Sequence, residues 1–251
     1  MTDYSDATLI EIINLYKKFA KQTVLNGVSL FVPRGETLVI LGRSGSGKSV
    51  LLKCLAGLVK PESGSIKIDG TEVVGLPHKE LEALRLRLGY VFQNAALYDS
   101  MSVKENLAFH LTRHRRLPEA ERDRIIREKL RFVDMEAALH KYPSELSGGM
   151  QKRVGLARAL VLSPEIVLYD EPTTGLDPLT AAEIDHLIAR LKDETGVTAI
   201  SITHNLESAQ RTADTVAVLH EGRILAAGTF AEVQTNAHPF IRQYFALAAT
   251  W

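Results

Sequence analysis

The sequence predicts an α/β fold with a mostly parallel sheet and an inserted helical segment. Thr37–Leu41 is an apolar run without alternation, which is typical of a strand buried on both faces. It leads directly into the glycine-rich loop Gly42–Ser49 and then into a helical pattern. Further along the chain, strands alternate with helices, which predicts parallel pairing through helical crossovers. Residues 94–146 differ, because they show helical patterns and no strand signal.

Local composition indicates each element in turn. Asn26-Gly27 and Pro33-Arg34-Gly35 are turn signals between the first apolar runs, and Pro61 should end the first helix. The predicted strands are Leu9–Asn14, Val24–Val32, Glu36–Leu41, Ser65–Asp69, Gly89–Phe92, Ile166–Tyr169, Thr198–Thr203, Thr215–His220 and Ile224–Ala227. The predicted helices are Lys48–Leu58, Leu81–Leu88, Val103–His114, Pro118–Phe132, the run from Ser147 to about Leu162, Pro178–Glu194, Leu206–Ala213, Phe230–Val233 and Pro239–Ala248.

The composition is that of a globular chain without a nucleic-acid signature. The 251 residues include 30 basic and 30 acidic side chains, so no excess positive charge suggests nucleic-acid binding. No apolar run reaches the roughly 18–20 residues that span a bilayer, and Met1–Ala7 is too polar for a signal peptide. We therefore expect a soluble chain that meets a membrane only through a partner. The single cysteine, Cys54, excludes an internal disulfide and should be a buried, inert thiol.

The glycine-rich loop reads G-x-x-x-x-G-K-S, which is typical of a loop that binds phosphate. Its glycines allow backbone N–H groups to surround phosphate oxygens, and the following helix adds its positive end. Lys48 is expected to reach the outer phosphates, and Ser49 is expected to ligate Mg²⁺. The candidate ATP-binding residues here are Gly42, Arg43, Ser44, Gly45, Ser46, Gly47, Lys48, Ser49 and Val50.

Two adjacent carboxylates, Asp170 and Glu171, follow the apolar strand Ile166–Tyr169. They should lie at the carboxyl edge of the sheet, where open α/β sheets bind ligands. Asp170 is placed to hold Mg²⁺ through water. Glu171 is the candidate base that orients or deprotonates an attacking water.

A second glycine-rich turn, Leu146–Met150, reads L-S-G-G-M and leads into a helix. Ser147, Gly148 and Gly149 offer a hydroxyl, backbone N–H groups and a helix N-terminus, which together favour an anion. This turn lies about a hundred residues beyond the first phosphate loop.

In this order and spacing, the motifs resemble those of ABC transporter nucleotide-binding subunits, and the resemblance covers nearly the whole chain. It implies one nucleotide-binding domain over 1–251, with a P-loop ABC ATPase core and an N-terminal antiparallel β-subdomain. It also implies a helical subdomain at about 94–146. The implied reaction is hydrolysis of ATP to ADP and phosphate, with Mg²⁺.

Several roles rest on this resemblance alone. Tyr16 stands where the family stacks an aromatic ring on adenine. Gln93 matches the Q-loop glutamine, which contacts Mg²⁺ and the attacking water. His204 matches the switch histidine that contacts the γ-phosphate, and Asp177 matches the D-loop aspartate.

The resemblance further implies that Ser147, Gly148 and Gly149 face the ATP of a second subunit. The chain has one P-loop and one such signature, so it needs a second cassette. The simplest expectation is a homodimer with two composite ATP sites.

Finer features resemble the ATPases of MCE-linked, Mla-type lipid transporters. They are the segment Ala95–Tyr98 after the Q-loop, Met150 in the signature, and the ending Phe240–Phe245. That resemblance implies phospholipid transport through a separate permease on the cytoplasmic face of the inner membrane. An MCE-domain protein is an implied partner, and some members add a STAS-domain protein.

Three other functions remain as alternatives. One is the ATPase of an importer of polar amino acids or other small solutes, although glutamine is commoner at the position of Met150. A second is a non-transport ABC ATPase, which usually has tandem cassettes or a long coiled coil. A third is a nucleotide-dependent regulatory module without turnover, which Glu171 and His204 argue against.

Overall fold

The computed structural model describes residues 8–248. Met1–Ala7 and residues 249–251 lie outside the described residues. The strands are β1 Thr8–Phe19, β2 Gln22–Pro33, β3 Thr37–Leu41, β4 Ser63–Ile68, β5 Thr71–Glu72, β6 Leu88–Val91, β7 Ile166–Asp170, β8 Thr198–Thr203, β9 Thr215–His220 and β10 Arg223–Gly228. The helices are α1 Lys48–Leu55, α2 His78–Arg85, α3 Val103–His114, α4 Glu119–Phe132, α5 Gly148–Leu160, α6 Pro178–Thr195, α7 Leu206–Thr212, α8 Phe230–Gln234 and α9 Pro239–Ala248.

The described strands form two sheets. A four-stranded antiparallel sheet has the order β2-β1-β4-β5, and a six-stranded sheet has the order β10-β9-β3-β8-β7-β6. In the larger sheet every pair is parallel except β9 with β10. The predicted fold class, a mostly parallel α/β core with an N-terminal antiparallel part, is therefore confirmed.

Burial explains why the central strands read as unbroken apolar runs. β3, β7 and β8 are buried at every position, because helices cover one face of the larger sheet and the smaller sheet covers part of the other. α1 packs between the two sheets and carries Cys54. Cys54 is 1% exposed, which confirms the predicted buried thiol. Burial raises the pKa of this thiol to about 11, so it stays protonated.

The predicted turn at Asn26-Gly27 is wrong. Both residues lie inside β2, and the chain reverses instead at Ala20-Lys21 between β1 and β2. Irregularities of register interrupt this hairpin, and Gly27 has a φ of 79°. The dipeptide therefore lies at a distortion within the strand. A local turn signal and a strand irregularity use the same residue types, so the sequence alone does not separate them.

Several helix boundaries also differ from prediction, most of all in α1 and α2. α1 ends at Leu55 rather than Leu58, because Gly57 adopts a φ of 64° and the Leu58 N–H donates back to the Lys53 carbonyl. α2 begins at His78 rather than Leu81, since Pro77 precedes it, and Leu88 already belongs to β6. These shifts leave the positions of the predicted site residues unchanged.

Residues 94–146 contain α3 and α4 and no strand. Ser102 and Glu105 form a reciprocal cap at the start of α3, with the Ser102 side chain accepting from the Glu105 N–H. Apolar residues of both helices pack with α5 against the sheet in a core distinct from that of α1. Among the described residues, no helix is both long and apolar enough to cross a membrane.

Candidate active site

A cavity lies where three parallel strands of the larger sheet end. Leu41 at the end of β3 pairs with Thr203 at the end of β8, and Asp170 at the end of β7 pairs with Ile202. The loops that leave these strands therefore meet at one edge of the sheet. They enclose about 960 Å³. Predicted site residues in the lining are Arg43, Ser44, Gly45, Gly47, Lys48, Ser49, Val50, Gln93, Glu171 and His204.

The glycine-rich loop connects β3 to α1, as the sequence predicts. Gly47 has a φ of 107°, and a Cβ there would lie 2.8 Å from the Val24 carbonyl oxygen. Only glycine allows this close approach of loop and strand. The Ser46 hydroxyl is buried with no hydrogen-bond partner among the described residues, so the loop holds polar capacity that an anion can use.

Lys48 lies inside this loop with its ammonium group fully engaged. Its Nζ donates to the carbonyl oxygens of Gly42 at 2.7 Å and Arg43 at 3.2 Å. It also lies 3.3 Å from Glu171 Oε1, and both side chains are buried. A phosphate that enters the cavity therefore competes with these partners for the same cation.

Asp170 is fixed by two hydroxyl groups. Ser49 Oγ donates to Asp170 Oδ1 at 2.9 Å, and the Tyr90 hydroxyl donates to Oδ2 at 3.0 Å. Burial and the neighbouring Asp170 raise the pKa of Tyr90, so the phenol keeps the proton that it donates. Sequence reasoning missed Tyr90. Its one signal was its place on the predicted strand Gly89–Phe92, and the pairing of that strand with β7 is seen only in the structure.

Glu171 is held by its backbone and by its carboxylate. It has a φ of 51°, which is unusual for a residue other than glycine, and its N–H donates to the Ile202 carbonyl at 3.0 Å. Glu171 Oε2 lies 2.9 Å from His204 Nδ1 and accepts from the Thr174 hydroxyl at 3.0 Å. Thr174 is a further contact that the sequence did not indicate.

The oxygen ligands fit Mg²⁺. A hydroxyl on Ser49 and a carboxylate on Asp170 are in contact, and the Gln93 side chain lines the same cavity. Within residues 8–248 no group of three or more His, Cys, Asp or Glu side chains could enclose a metal. Mg²⁺ suits such a site, since it commonly takes one or two protein oxygens with substrate phosphates and water.

The ABC transporter family model matches residues 25–174, which include the glycine-rich loop, both carboxylates and the second glycine-rich turn. This chain belongs to the ABC transporter family. Like the family's cassettes, it is an ATPase that uses ATP with Mg²⁺.

Curated relatives include three differently named proteins. A probable ribonucleotide transport ATP-binding protein of Mycobacterium leprae is 42% identical and covers 94% of this chain and 68% of its own length. The chloroplastic protein trigalactosyldiacylglycerol 3 of Arabidopsis thaliana is 39% identical over 94% of this chain and 73% of its own. The methionine import protein MetN of Corynebacterium efficiens is 38% identical over 98% and 70%. The chain thus spans about two thirds of each.

Solved structures give the same fold. The dimeric cassette MJ0796, in a post-hydrolysis state with ADP and phosphate, has a TM-score of 0.82 and 32% identity, over 88% of this chain and 99% of its own. The cassette cbiO1 of Clostridium perfringens, part of the complex cbiONQ, has a TM-score of 0.83 and 32% identity, over 91% of each chain.

The signature residues lie apart from the cavity of their own P-loop. Ser147 caps α5 by accepting from the Met150 N–H at 3.3 Å, and Ser147 and Gly148 are exposed. None of the three signature residues lines the cavity. Gly149 packs beside Thr180, where a Cβ would lie 2.6 Å from the threonine methyl group. Thr180 in turn donates its hydroxyl to the D-loop residue Asp177 at 2.6 Å, and Asp177 caps α6.

Tyr16 is not brought into the cavity. The cavity lining does not include it, and its hydroxyl lies 2.9 Å from where a Cβ on Gly27 would stand. Its ring is therefore packed against its own sheet. Phe19, at the end of the same strand, is 47% exposed against 37% for Tyr16, and it does not line the cavity either. The predicted stacking role of Tyr16 stays a prediction.

From the predicted stacking role, we expect Tyr16→Ala to raise the KM for ATP about fivefold or more, because stacking on a base contributes roughly 1–3 kcal/mol. Phe19→Ala removes a more exposed ring from the same strand and should change this KM less. Steady-state ATPase assays with ATP compare the two variants directly. A larger increase in KM for Phe19→Ala would contradict the stacking role of Tyr16.

Proposed function

We propose that this chain is the ATP-hydrolysing subunit of a lipid transporter of the MCE-linked, Mla type, acting through a separate permease. The observation that carries the hydrolytic role is the 2.9 Å contact between Glu171 Oε2 and His204 Nδ1 beside the P-loop. A carboxylate next to an imidazole at the phosphate end of a nucleotide cavity can orient and deprotonate water.

The proposed roles follow from the contacts. Lys48 leaves its loop carbonyls for the outer phosphates and neutralises their charge. Glu171 accepts a proton from the attacking water, and His204 contacts the γ-phosphate. Bound Mg²⁺, held by Ser49, Asp170 and Gln93, would neutralise charge on the phosphates. Tyr90 keeps Asp170 oriented toward Ser49.

Glu171→Gln should lower the kcat for ATP hydrolysis roughly 100-fold or more, because the amide cannot take the proton from water. ATP binding should persist, since the P-loop contacts are untouched. Phosphate release and nucleotide binding are measured on the same protein. Glu194→Gln, which changes an exposed carboxylate paired with Arg190, is the matched control. Hydrolysis by Glu171→Gln at the control's rate would contradict the assignment.

We also propose that two copies form a head-to-tail dimer with one ATP at each of two composite sites between them. Exposed Ser147 and Gly148, outside their own cavity, support this arrangement. The hydroxyl, N–H groups and helix N-terminus there suit the phosphates of a partner's nucleotide. The D-loop residue Asp177 accepts a hydrogen bond from Thr180, and Thr180 packs against Gly149 of the signature. Asp177 therefore belongs to the same proposed interface.

Glu171→Gln protein should become a dimer at micromolar concentration when ATP and Mg²⁺ are added, because nucleotide then bridges the two copies without being consumed. Light scattering with size exclusion measures the mass, with ADP as the matched condition. A protein that remains monomeric with ATP, both alone and with its permease, would rule out the nucleotide-bridged dimer.

A permease is proposed to dock beside the Q-loop. Phe92 and Tyr98 are exposed aromatic residues on either side of Gln93–Leu97, and Met101 is half-buried. A partner that covers this surface would press directly on the segment that contains Gln93. With such a permease, we propose that the chain is peripheral to the inner membrane, on its cytoplasmic face. Residues 94–146 act as a helical subdomain within one nucleotide-binding domain.

Lipid is the proposed cargo. Support comes from the Ala95–Tyr98 segment, from Met150, and from the relative named after a galactolipid. An MCE-domain protein would then be a partner, with a STAS-domain protein in some assemblies. The second candidate is a small-solute importer, which the MetN relatives favour. The permease, not this chain, contacts the cargo in either case.

Purification of the complete complex through a tag on this chain should recover phospholipid and an MCE-domain protein, which mass spectrometry identifies. The Glu171→Gln complex with ATP is the matched sample, because it should retain the same subunits. Recovery of a periplasmic solute receptor without lipid would favour the importer instead.

A further inference from the structure

One face of the signature helix α5 contacts the backbone of the Q-loop. Lys152, Gly155 and Arg158 are spaced by three residues, which places them along one side of the helix. Arg158 Nη1 donates to the Ala96 carbonyl at 2.6 Å, and its Nη2 donates to the Ala95 carbonyl at 2.8 Å. Gly155 allows the close approach, since a Cβ there would lie 3.1 Å from that of Ala95.

Lys152 extends this contact to Gln93. Its Nζ donates to the Gln93 carbonyl oxygen, and the side chain is only 8% exposed. Burial lowers the pKa of Lys152, while the Glu171 and Asp170 carboxylates oppose the shift. A buried cation is costly unless its donors are used, and here both cations of the helix face donate to backbone carbonyls.

The segment that these cations contact has a strained backbone. Ala95 and Ala96 adopt φ angles of 57° and 49°. Such angles cost free energy for alanine and persist where the surroundings impose them. Removing a donor from α5 should therefore let residues 93–96 relax, which would move the Gln93 side chain in the cavity.

Lys152 also contacts Glu171, another residue of the site with a positive φ. Its Nζ donates to the Glu171 carbonyl at 3.4 Å, opposite the Glu171 N–H that donates to Ile202. One ammonium group thus joins the signature helix, the Q-loop backbone and the backbone of the candidate base.

We propose that Lys152 is a positioning residue that makes the geometry of Gln93 and Glu171 depend on the signature helix. In the proposed dimer, on which this inference rests, the partner's nucleotide binds at the N-terminus of α5. Binding there would displace α5. Because Lys152 lies four residues after Gly148 on this helix, it would transmit the displacement to the cavity of its own chain. Each ATP would then adjust the catalytic geometry of the opposite site.

The test compares Lys152→Met with Lys104→Met. The second variant removes a lysine from α3 whose Nζ pairs with Asp123, away from the cavity. For Lys152→Met we expect a kcat lower by roughly 10- to 100-fold, because small displacements of positioned groups are costly. The KM for ATP should stay within about twofold of wild type, since the P-loop is intact. Lys152→Arg, which keeps a cationic donor, should recover most of the kcat.

Hydrogen exchange supplies a readout that does not depend on turnover. Amides of residues 92–99 should exchange faster in Lys152→Met than in Lys104→Met, while those of β3 should not change. If Lys152→Met does not fold, Lys152→Gln is judged by the same criteria.

Equal kcat values for the Lys152 and Lys104 variants would overturn the proposal. So would a parallel loss of Tm, KM and kcat that Lys152→Arg fails to rescue, because that pattern indicates a structural role alone. If wild-type protein forms no ATP-dependent dimer, the proposed function fails separately. Even then, unchanged hydrogen exchange at residues 92–99 in Lys152→Met would refute the role of the contact between Lys152 and the Q-loop.

Discussion

Parallel pairing of β3, β8 and β7 is the constraint on which the site depends. Because these strands pair in register, their carboxyl ends bring three groups to one edge of the sheet: the P-loop, the pair Asp170-Glu171, and His204. Because all three strands are buried on both faces, apolar packing rather than local sequence holds this register. A slip of one residue would invert the side chains and separate Glu171 from His204.

Two charged groups at this edge, Lys48 and Asp170, already have partners in the structure. Lys48 is engaged by its own loop and by Glu171, while Asp170 is engaged by Ser49 and Tyr90. For these groups nucleotide binding is an exchange of partners, while the buried Ser46 hydroxyl gains one. Such exchange lets the state of one loop affect its neighbours, since each released group must find a new contact.

The sequence predicted the motifs and most elements because they depend on local patterns. α3, β8 and β9 have the predicted bounds, and ten of the predicted ATP-binding and catalytic residues line one cavity. The sequence did not predict the contacts between elements. The approach of Tyr90 to Asp170 depends on the pairing of β6 with β7, and that of Lys152 to Gln93 depends on which face α5 presents to the Q-loop. The packing of the Tyr16 ring on Gly27 within the hairpin likewise depends on how the strands pair.

The central claim is that each ATP-binding site is completed by two chains. Mixing two inactive variants tests this claim most directly. Lys48→Ala protein keeps an intact signature, and Ser147→Arg protein keeps an intact P-loop. Each should be nearly inactive alone, because every site of its homodimer is damaged. If the sites are composite, the mixture contains heterodimers with one undamaged site, and ATPase activity should reappear. Activity no greater than the sum of the separate variants, with heterodimers present, would contradict the account.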